Sequence, residues 1–259
     1  MWLACESLAR WVGVGRGWAD VIDNPSISVV IPAFNEVERL PPTLDRLVAE
    51  LDGLVGDWQV VVSDDGSTDS TVEVALARAR EEHRIVVVTC PVNRGKGAAL
   101  VEGFAAATAP VVVFLDADLP VEPSALLPLV AAAESAEVVV GSRRMAGSSF
   151  TAHQPWARRV GGGLFLRTVA ALGLRTTSDP QCGVKVLRRL PTAEVLRATT
   201  STGYAFDIEL LTRARNAGLR IAERPVRWHH VDGSRVRPVR DGASTLVALI
   251  RLRARLRAG

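Results

Sequence analysis

Two aspartates that could bind a cation stand close together at the end of an apolar run. Asp116 and Asp118 flank Ala117, directly after the segment 111–115 (VVVFL). Two carboxylates this close repel each other unless a positive charge lies between them. Mg²⁺ and Mn²⁺ prefer carboxylate oxygens, and an extended segment points residues i and i+2 to the same side. The spacing therefore predicts a divalent metal site, and capping of the helix that follows Pro120 is the alternative.

A second pair of acids, Asp64 and Asp65, follows the apolar run 58–63 (WQVVVS). The residues after them, 66–69 (GSTD), are typical of a turn and a helix N-cap, so capping accounts for Ser67 to Asp69. Capping does not account for two acids directly at the strand end. A carboxylate there can accept a hydrogen bond from a nucleobase N–H or a ribose hydroxyl. In combination with the first pair, this motif predicts a nucleotide contact.

Lys96 lies in a glycine-rich segment, 93–97 (NRGKG), that opens a predicted helix. Glycines and a lysine at a helix N-terminus can approach a nucleotide phosphate. The spacing differs from the GxxxxGK[ST] pattern of a phosphate-binding P-loop. A plain glycine-rich turn is therefore equally compatible with this segment.

Two pairs of arginines lie in the second half of the chain, Arg143 with Arg144 and Arg158 with Arg159. Exposure to solvent is the default interpretation for arginine. Arg143 directly follows a predicted strand end, which favours a role in ligand binding. Cys182 has no obvious histidine partner, so we interpret it as a packing residue and not as a nucleophile.

A sheet must position these residues. Short β-branched runs alternate with helical patterns, which predicts strands at 27–32, 58–63, 84–89, 111–115 and 137–140 and helices near 41–52, 69–82, 97–107 and 123–134. Such alternation implies an α/β fold with a mostly parallel sheet covered on both faces. Ligands bind outside the carboxyl ends of the strands in such sheets. The polar clusters that follow four of the strands are therefore expected to converge on one site.

The alternation stops after about residue 145. A helix near 155–172, a loop at 179–183, a helix near 205–217 and a strand near 221–228 indicate an extension onto the sheet. The longest apolar run is shorter than the roughly 18–20 residues that a membrane span needs. Three scattered cysteines without a CxxC pair, in a chain of 259 residues without a signal-peptide pattern, predict a reducing cytosolic environment.

In combination, these motifs resemble those of glycosyltransferase family 2, whose members have the Rossmann-like GT-A fold. The matching segments are SVVIPAFNE (28–36), DDGSTD (64–69), NRGKGAAL (93–100), DADL (116–119) and GSR (141–143). Three later segments resemble dolichyl-phosphate β-glucosyltransferases and polyprenyl-phosphate mannosyltransferases: DPQCGVKVLRR (179–189), GYAFDIELL (203–211) and VRWHHVDGSRVRP (226–238). The resemblance covers nearly the whole chain, and it implies that the second half is an extension on the acceptor side.

The resemblance implies a role for each matching residue. The nucleotide-sugar donor would be bound by Pro32, Asn35, Glu36, Asp64, Asp65, Lys96, Asp116, Ala117, Asp118 and Arg235. The acceptor phosphate would face Arg143, Arg158, Arg159 and Gln181. Asp116 and Asp118 would bind Mg²⁺ or Mn²⁺, and the catalytic residues would be Asp116, Asp118, Arg143 and Asp179.

The activity that the resemblance implies is inverting transfer of a hexose from UDP-glucose or GDP-mannose to a polyprenyl or dolichyl phosphate. Two alternatives stay open, a family 2 enzyme with a hydroxyl acceptor and a catalytically silent nucleotide-sugar-binding protein on the same fold. A dinucleotide dehydrogenase is disfavoured because no GxGxxG follows the first strand. The expected partners are the donor, the lipid phosphate and a membrane surface, with no nucleic acid. The expected location is the cytoplasm, at the inner face of the membrane.

Three parts of the chain are expected: an N-terminal extension at 1–26, the GT-A domain at 27–240, and a basic amphipathic helix at 241–259. In the last part, Leu249, Leu252 and Leu256 recur at helical spacing among arginines. Such a helix can lie on an anionic membrane surface. Packing of the three leucines on the core is the equally favoured alternative.

Overall fold

The structure is a computed structural model that describes residues 3–4, 25–150, 156–203, 205–228 and 238–258. Its strands are β1 (Leu3–Ala4), β2 (Ser26–Ala33), β3 (Asp57–Asp64), β4 (Ile85–Thr89), β5 (Val111–Phe114), β6 (Val138–Ser142), β7 (Ser149–Phe150), β8 (Lys185–Arg188), β9 (Ile221–Pro225) and β10 (Arg227–Trp228). Its helices are α1 (Leu40–Leu51), α2 (Thr71–Glu81), α3 (Lys96–Ala106), α4 (Leu127–Ala132), α5 (Trp156–Ala171), α6 (Arg189–Ala198), α7 (Phe206–Asn216) and α8 (Pro238–Ala258), with a 3₁₀ turn at Pro123–Leu126.

Eight of these strands form one mostly parallel sheet in the order β1-β4-β3-β2-β5-β8-β6-β9. β8 runs antiparallel to both of its neighbours, β5 and β6. β7 and β10 form a separate parallel pair. The predicted α/β class with a mostly parallel sheet is confirmed.

Strand β8 is one of the elements that the sequence pattern did not indicate. It is only four residues long and it follows a segment rich in Pro and Gly, so its apolar alternation is too short to be distinctive. Val186 pairs with Val113 on one side and with Val139 on the other. Because β8 is antiparallel, the loop that precedes it, 179–184, lies at the carboxyl edge of β5 and β6. The insertion therefore brings this loop to the expected site.

The core surrounds the central strands. Val29, Val30 and Ile31 of β2 are all fully buried, and successive residues of a strand point to opposite faces. Both faces of this strand are therefore covered, as the continuous apolar run predicted. Helix α3 packs closely on β2 because Gly103 has no side chain. A Cβ at this position would lie 2.4 Å from the Val30 side chain.

A second, smaller core lies under the C-terminal helix. It contains Val169, Leu174, Ala205, Ile208, Leu249 and Leu252. Leu249 and Leu252 are fully buried there, and Leu256 packs against them. Of the two interpretations of the leucine stripe, core packing is therefore the one that the structure supports. None of the described helices is both long and apolar enough to cross a membrane.

Candidate active site

Four strand ends meet at one edge of the sheet. β2 ends at Ala33, β3 at Asp64, β5 at Phe114 and β6 at Ser142. The register aligns Ala33 with Asp64, and these two strands are parallel. The polar segments that follow the strands therefore lie together, as the alternation of strands and helices predicted.

The turn after β3 is built by its own two acids. The Asp65 carboxylate accepts hydrogen bonds from the backbone N–H groups of Arg94, at 2.9 Å, and Gly95, at 2.6 Å. Oδ2 of Asp64 accepts from the N–H groups of Gly66 and Ser67, both at 3.1 Å. Both side chains are 2% exposed, and Oδ1 of Asp64 is buried without a hydrogen-bond partner among the described residues. That oxygen therefore keeps an unused acceptor site, and a donor contact by Asp64 stays a prediction.

The Asp65 contacts predict a stability effect for Asp65→Asn. Asparagine has one acceptor oxygen and would point its NH₂ at an N–H donor, so one buried backbone donor loses its partner. We expect a loss of about 1–3 kcal/mol in the free energy of unfolding, measured by urea denaturation. The matched control is Asp57→Asn, at the exposed first position of β3, and it should change the free energy of unfolding little. Equal effects of the two substitutions would contradict this role for Asp65.

Asn35 and Glu36 hold the loop after β2 against the β3 turn. Asn35 has a left-handed backbone, with φ 56°, and its Oδ1 accepts from the N–H of Thr68 at 2.8 Å. Glu36 forms an ion pair with Arg39 at 2.6 Å. Asp69 lies one residue before Ser70, the N-cap residue of α2, and its Oδ1 accepts from the N–H of Thr71 at 3.0 Å. Pro32 is half-buried near the end of β2. Donor contacts by Pro32, Asn35, Glu36 and Asp65 stay predictions.

Asp116 and Asp118 stand in a tight turn, not in the extended segment that we expected from their spacing. β5 ends at Phe114, and the N–H of Leu119 donates to the Asp116 carbonyl at 3.1 Å. Leu119 adopts φ 44°, and the carbonyl of Ala117 accepts from Thr43 Oγ1 at 2.8 Å. The relative placement of the two acids is therefore set by this turn and not by strand alternation.

The two acids interact electrostatically. Burial and the neighbouring Asp116 charge raise the pKa of Asp118, and Arg39 opposes this in part. Oδ1 of Asp118 is buried without a hydrogen-bond partner among the described residues. A positive charge beside this oxygen would satisfy it and would offset the repulsion between the two carboxylates.

Gly183, in the loop before β8, lies against the Asp116 carboxylate. A Cβ at this glycine would be 2.1 Å from Oδ2 of Asp116 and 2.8 Å from its Cγ. The same Cβ would lie 3.2 Å from the ring of Trp228. Only glycine therefore allows this loop to pass so close to the carboxylate.

A chain of alternating charges continues from Asp116. Lys96 contacts Asp116, and Lys185 is 2.6 Å from Asp207 at the start of α7. Burial alone would lower the pKa of Lys96, but Asp116, Asp207 and Asp118 outweigh it and raise that pKa. Lys96 and Lys185 are the only two lysines in the chain, and both lie here. The ammonium of Lys96 thus provides positive charge beside the two acids.

Arg143 and Asp179 form a bidentate ion pair at the end of β6. Arg143 donates from Nε at 2.7 Å and from Nη2 at 2.8 Å, and its backbone N–H donates at 3.0 Å. The guanidinium lies over the Trp228 ring at 4.8 Å from the centroid. Burial alone would raise the pKa of Asp179, but Arg143 outweighs it and lowers that pKa. Asp179 is therefore an ionised partner of Arg143.

A partly buried hydrogen-bond network holds the backbone that carries Asp179. Oε1 of Glu223 accepts from the N–H and the hydroxyl of Ser178, at 2.8 Å and 2.7 Å. The Ser178 hydroxyl also lies 2.9 Å from the Ser142 hydroxyl. These contacts link β6 and β9 to the segment that carries Asp179.

The remaining predicted site residues differ in what the structure says of them. Gln181 is half-buried in the loop before β8, and Arg144 is exposed. The side chains of Arg158 and Arg159 and all of Arg235 lie outside the described residues. Cys182 is fully buried, and burial raises the pKa of its thiol to about 11, which fits the packing role.

Sequence reasoning assigned no role to five residues that complete this site: Gly183, Lys185, Asp207, Glu223 and Trp228. Gly183 and Trp228 matter through contacts that only the fold creates. Lys185 carried a signal, because lysine is rare in this arginine-rich chain. Among the described residues, no group of three or more His, Cys, Asp or Glu side chains could hold a metal by itself.

This fold and site define a class of enzyme. We call the turn that carries Asp116, Ala117 and Asp118 the DAD turn. GT-A glycosyltransferases have an α/β sheet with such a turn, an acidic strand end and ion-paired cations at its carboxyl edge. The chain belongs to glycosyltransferase family 2, since the model described as "Glycosyl transferase family 2" matches residues 28–196.

Within this family, the chain is similar to several named proteins. The dolichyl-phosphate beta-glucosyltransferase of Drosophila melanogaster is 32% identical over 232 residues, 83% of this chain and 71% of the relative. The Saccharomyces cerevisiae protein of the same name is 30% identical, over 81% of this chain and 69% of the relative. Glucosyl-3-phosphoglycerate synthase from Mycobacterium tuberculosis, in complex with Mn²⁺, UDP-glucose and phosphoglyceric acid, aligns with a TM-score of 0.66 at 26% identity. That alignment covers 94% of this chain and 86% of the solved chain.

Proposed function

We propose that the protein transfers glucose from UDP-glucose to a polyprenyl phosphate, with inversion at the anomeric carbon. The observation that carries this proposal is the bidentate Arg143–Asp179 pair beside the DAD turn, with a cation suited to a phosphate acceptor. Similarity to two dolichyl-phosphate beta-glucosyltransferases supports both glucose and a lipid phosphate. A solved relative that was crystallised with UDP-glucose supports the donor.

The DAD turn fits a divalent metal ion. The orphaned buried oxygen of Asp118 and its repulsion by Asp116 would both be satisfied by one cation, and the donor diphosphate would complete its coordination. A bound Mg²⁺ or Mn²⁺ would neutralise the negative charge that grows on the diphosphate as the glycosidic bond breaks. The Mn²⁺ in the solved relative supports this assignment.

The donor would lie across the ends of β2, β3 and β5. The unpartnered Oδ1 of Asp64 can accept from the uracil N–H or a ribose hydroxyl. The diphosphate would face the N-terminus of α3, where the helix dipole and Lys96 both favour negative charge. Gly95 precedes this helix with φ 100°, and a Cβ there would be 2.6 Å from the Thr202 carbonyl. The glycine therefore allows the tight turn into the helix and the close approach of the Thr202 backbone.

The acceptor would need no protein base. Both oxygens of Asp179 are bound by Arg143, and Asp207 is paired with Lys185, so both carboxylates already serve as ion-pair partners. A phosphate monoester has a second pKa of about 6 and is largely dianionic at neutral pH. Its oxygen can attack the anomeric carbon once it is oriented, and the three N–H groups of Arg143 that Asp179 does not use can orient it. Attack opposite the diphosphate turns an α-linked donor into a β-linked product.

The hydrocarbon chain of such an acceptor lies in a bilayer, so the proposal implies action at a membrane surface. Location at the inner face of the membrane stays a prediction. An enzyme with a hydroxyl acceptor is the second candidate, because the solved relative is named for glucosyl transfer to phosphoglycerate. The two candidates differ in the group that attacks, and this difference can be tested directly.

The test measures product from UDP-glucose with polyprenyl phosphate and with unphosphorylated polyprenol. We expect product from the phosphate alone. Arg143→Ala should raise the KM for polyprenyl phosphate at least about tenfold, because it removes a charge-assisted contact worth roughly 1.5–3 kcal/mol. The KM for UDP-glucose should change much less. Product from polyprenol at an equal rate would overturn the proposal in favour of a hydroxyl acceptor.

Asp179→Asn separates a supporting residue from a base. If Asp179 only orients Arg143, the variant should weaken acceptor binding, and the pH profile of kcat should keep its shape. If Asp179 were the base, kcat itself would fall at saturating acceptor. For Arg143→Ala, the control is Arg80→Gln, which removes an arginine at an exposed position of α2 away from the site.

A further inference from the structure

The outer face of α8 is apolar and exposed. Leu246, Val247 and Ile250 are 42%, 46% and 52% exposed. The opposite face of the helix carries Leu249 and Leu252, which are fully buried in the smaller core. At 100° per residue the three exposed side chains share one side of the helix, directed away from that core. We call Leu246, Val247 and Ile250 the outer face.

Arginines border the outer face. Arg251 is exposed on one side of it and Arg253 is half-buried on the other. The segment 242–259 contains four arginines, at 251, 253, 255 and 257, and no acidic residue. An apolar strip between basic side chains matches a bilayer surface, with hydrocarbon under the strip and anionic headgroups beside it.

The same helix is connected to the candidate active site. Arg255 donates to Thr200 Oγ1 and lies 3.7 Å from the buried carboxylate of Glu209. In the loop that starts at Thr200, the carbonyl of Thr202 accepts from the N–H of Gly97 at 2.7 Å, at the start of α3. A groove of about 790 Å³ lies between this loop and α8. A membrane bound to the outer face would therefore lie near the donor-binding edge.

We propose that the outer face of α8 docks the protein onto an anionic lipid bilayer. This goes beyond the transfer reaction and rests on α8 alone. A second copy of the chain is a poorer occupant, because a symmetric contact through this face would bring arginines of both copies together. The bilayer supplies the opposite charge and covers the apolar side chains at the same time.

The experiment is co-sedimentation of the full chain with phosphatidylcholine vesicles, with and without phosphatidylglycerol. We expect binding to the anionic vesicles that weakens as salt is added. Ile250→Ser should lower the partition coefficient about tenfold, since it removes buried apolar area. Arg251→Gln should lower it about fivefold.

Two controls match these variants in chemistry and exposure. Leu190→Ser, at a site 55% exposed on α6, matches Ile250→Ser at a site 52% exposed. Arg80→Gln on α2 matches Arg251→Gln, and both arginines are exposed. Neither control should change vesicle binding. All four variants should keep wild-type transfer to a short-chain, water-soluble prenyl phosphate, which shows that they are folded.

Three outcomes would overturn the proposal. They are no binding to anionic vesicles, equal loss in variants and controls, or a dimer in sedimentation velocity that Ile250→Ser dissociates while vesicle binding is absent. Docking and the proposed activity can fail separately. Vesicle binding without transfer to polyprenyl phosphate would reject the activity alone, and transfer to the short-chain acceptor without vesicle binding would reject docking alone.

Discussion

Asp118→Asn is expected to lower kcat at least about a hundredfold and to leave the fold intact. The ionised carboxylate is costly in the metal-free protein, because it is buried and lies beside Asp116. Asparagine keeps the shape and removes the charge, so it should relieve the repulsion and abolish metal binding together. Loss of one preorganised charge that stabilises the transition state costs roughly 10²–10³ in rate.

Two measurements test this expectation. Transfer rates of the wild type should fall to the level of the variant in excess chelator and recover with Mn²⁺ or Mg²⁺. In urea denaturation, Mn²⁺ should stabilise the wild type and leave Asp118→Asn unchanged, while in chelator the variant should be at least as stable as the wild type. Asp116→Asn should lower kcat to a similar extent as Asp118→Asn. Full turnover in chelator would disprove a metal at the DAD turn.

Gly183→Ala is expected to be nearly as damaging as loss of Asp116. The new methyl group would lie 2.1 Å from Oδ2 of Asp116, which no real contact allows. The carboxylate is the mobile end of a side chain, so it should rotate away and spare the backbone. The free energy of unfolding should therefore change little, whereas the metal site loses one ligand and kcat falls at least about a hundredfold.

The matched control is Gly203→Ala, where a Cβ would meet nothing within 4 Å. Both variants add one methyl group to a loop glycine, so only the contact with Asp116 distinguishes them. The decisive readout is the Mn²⁺ concentration that gives half-maximal activity, which should rise for Gly183→Ala alone. An unchanged metal dependence in Gly183→Ala would show that this glycine does not shape the site.

A structural feature could be predicted from the sequence when it depends on residues that are close together in the chain. The runs that became β2 to β6 were predicted to within two residues at either end, because a buried parallel strand is a continuous apolar run. Helix α3 was predicted from its glycine-rich start and begins at Lys96. β8 and α6 were not predicted, since both follow a segment whose Pro and Gly suggested a loop.

The charges at the site show the same division. Asp64, Asp65, Asp116, Asp118 and Arg143 were identified from their positions after strands. The hydrogen-bond partners of the acids at this site were not predicted. Asp65 accepts from two backbone N–H groups, and Asp179 accepts from Arg143. A carboxylate in a sequence has the same chemistry whichever partner it meets, so only its neighbours in space assign its task.

The sequence by itself determined the α/β class, the edge of the sheet at which the candidate site lies, and most of the acids and cations gathered there. These follow from hydrophobic periodicity and from the residues that come directly after each strand, which are local properties. The tertiary structure alone decided that Gly183 touches Asp116, that Glu223 holds the backbone of Asp179, and that Leu249 faces the core while Ile250 faces outward. Each of these contacts joins segments far apart in the chain, and their approach depends on the antiparallel insertion of β8 and on the packing of α8, which no local pattern encodes.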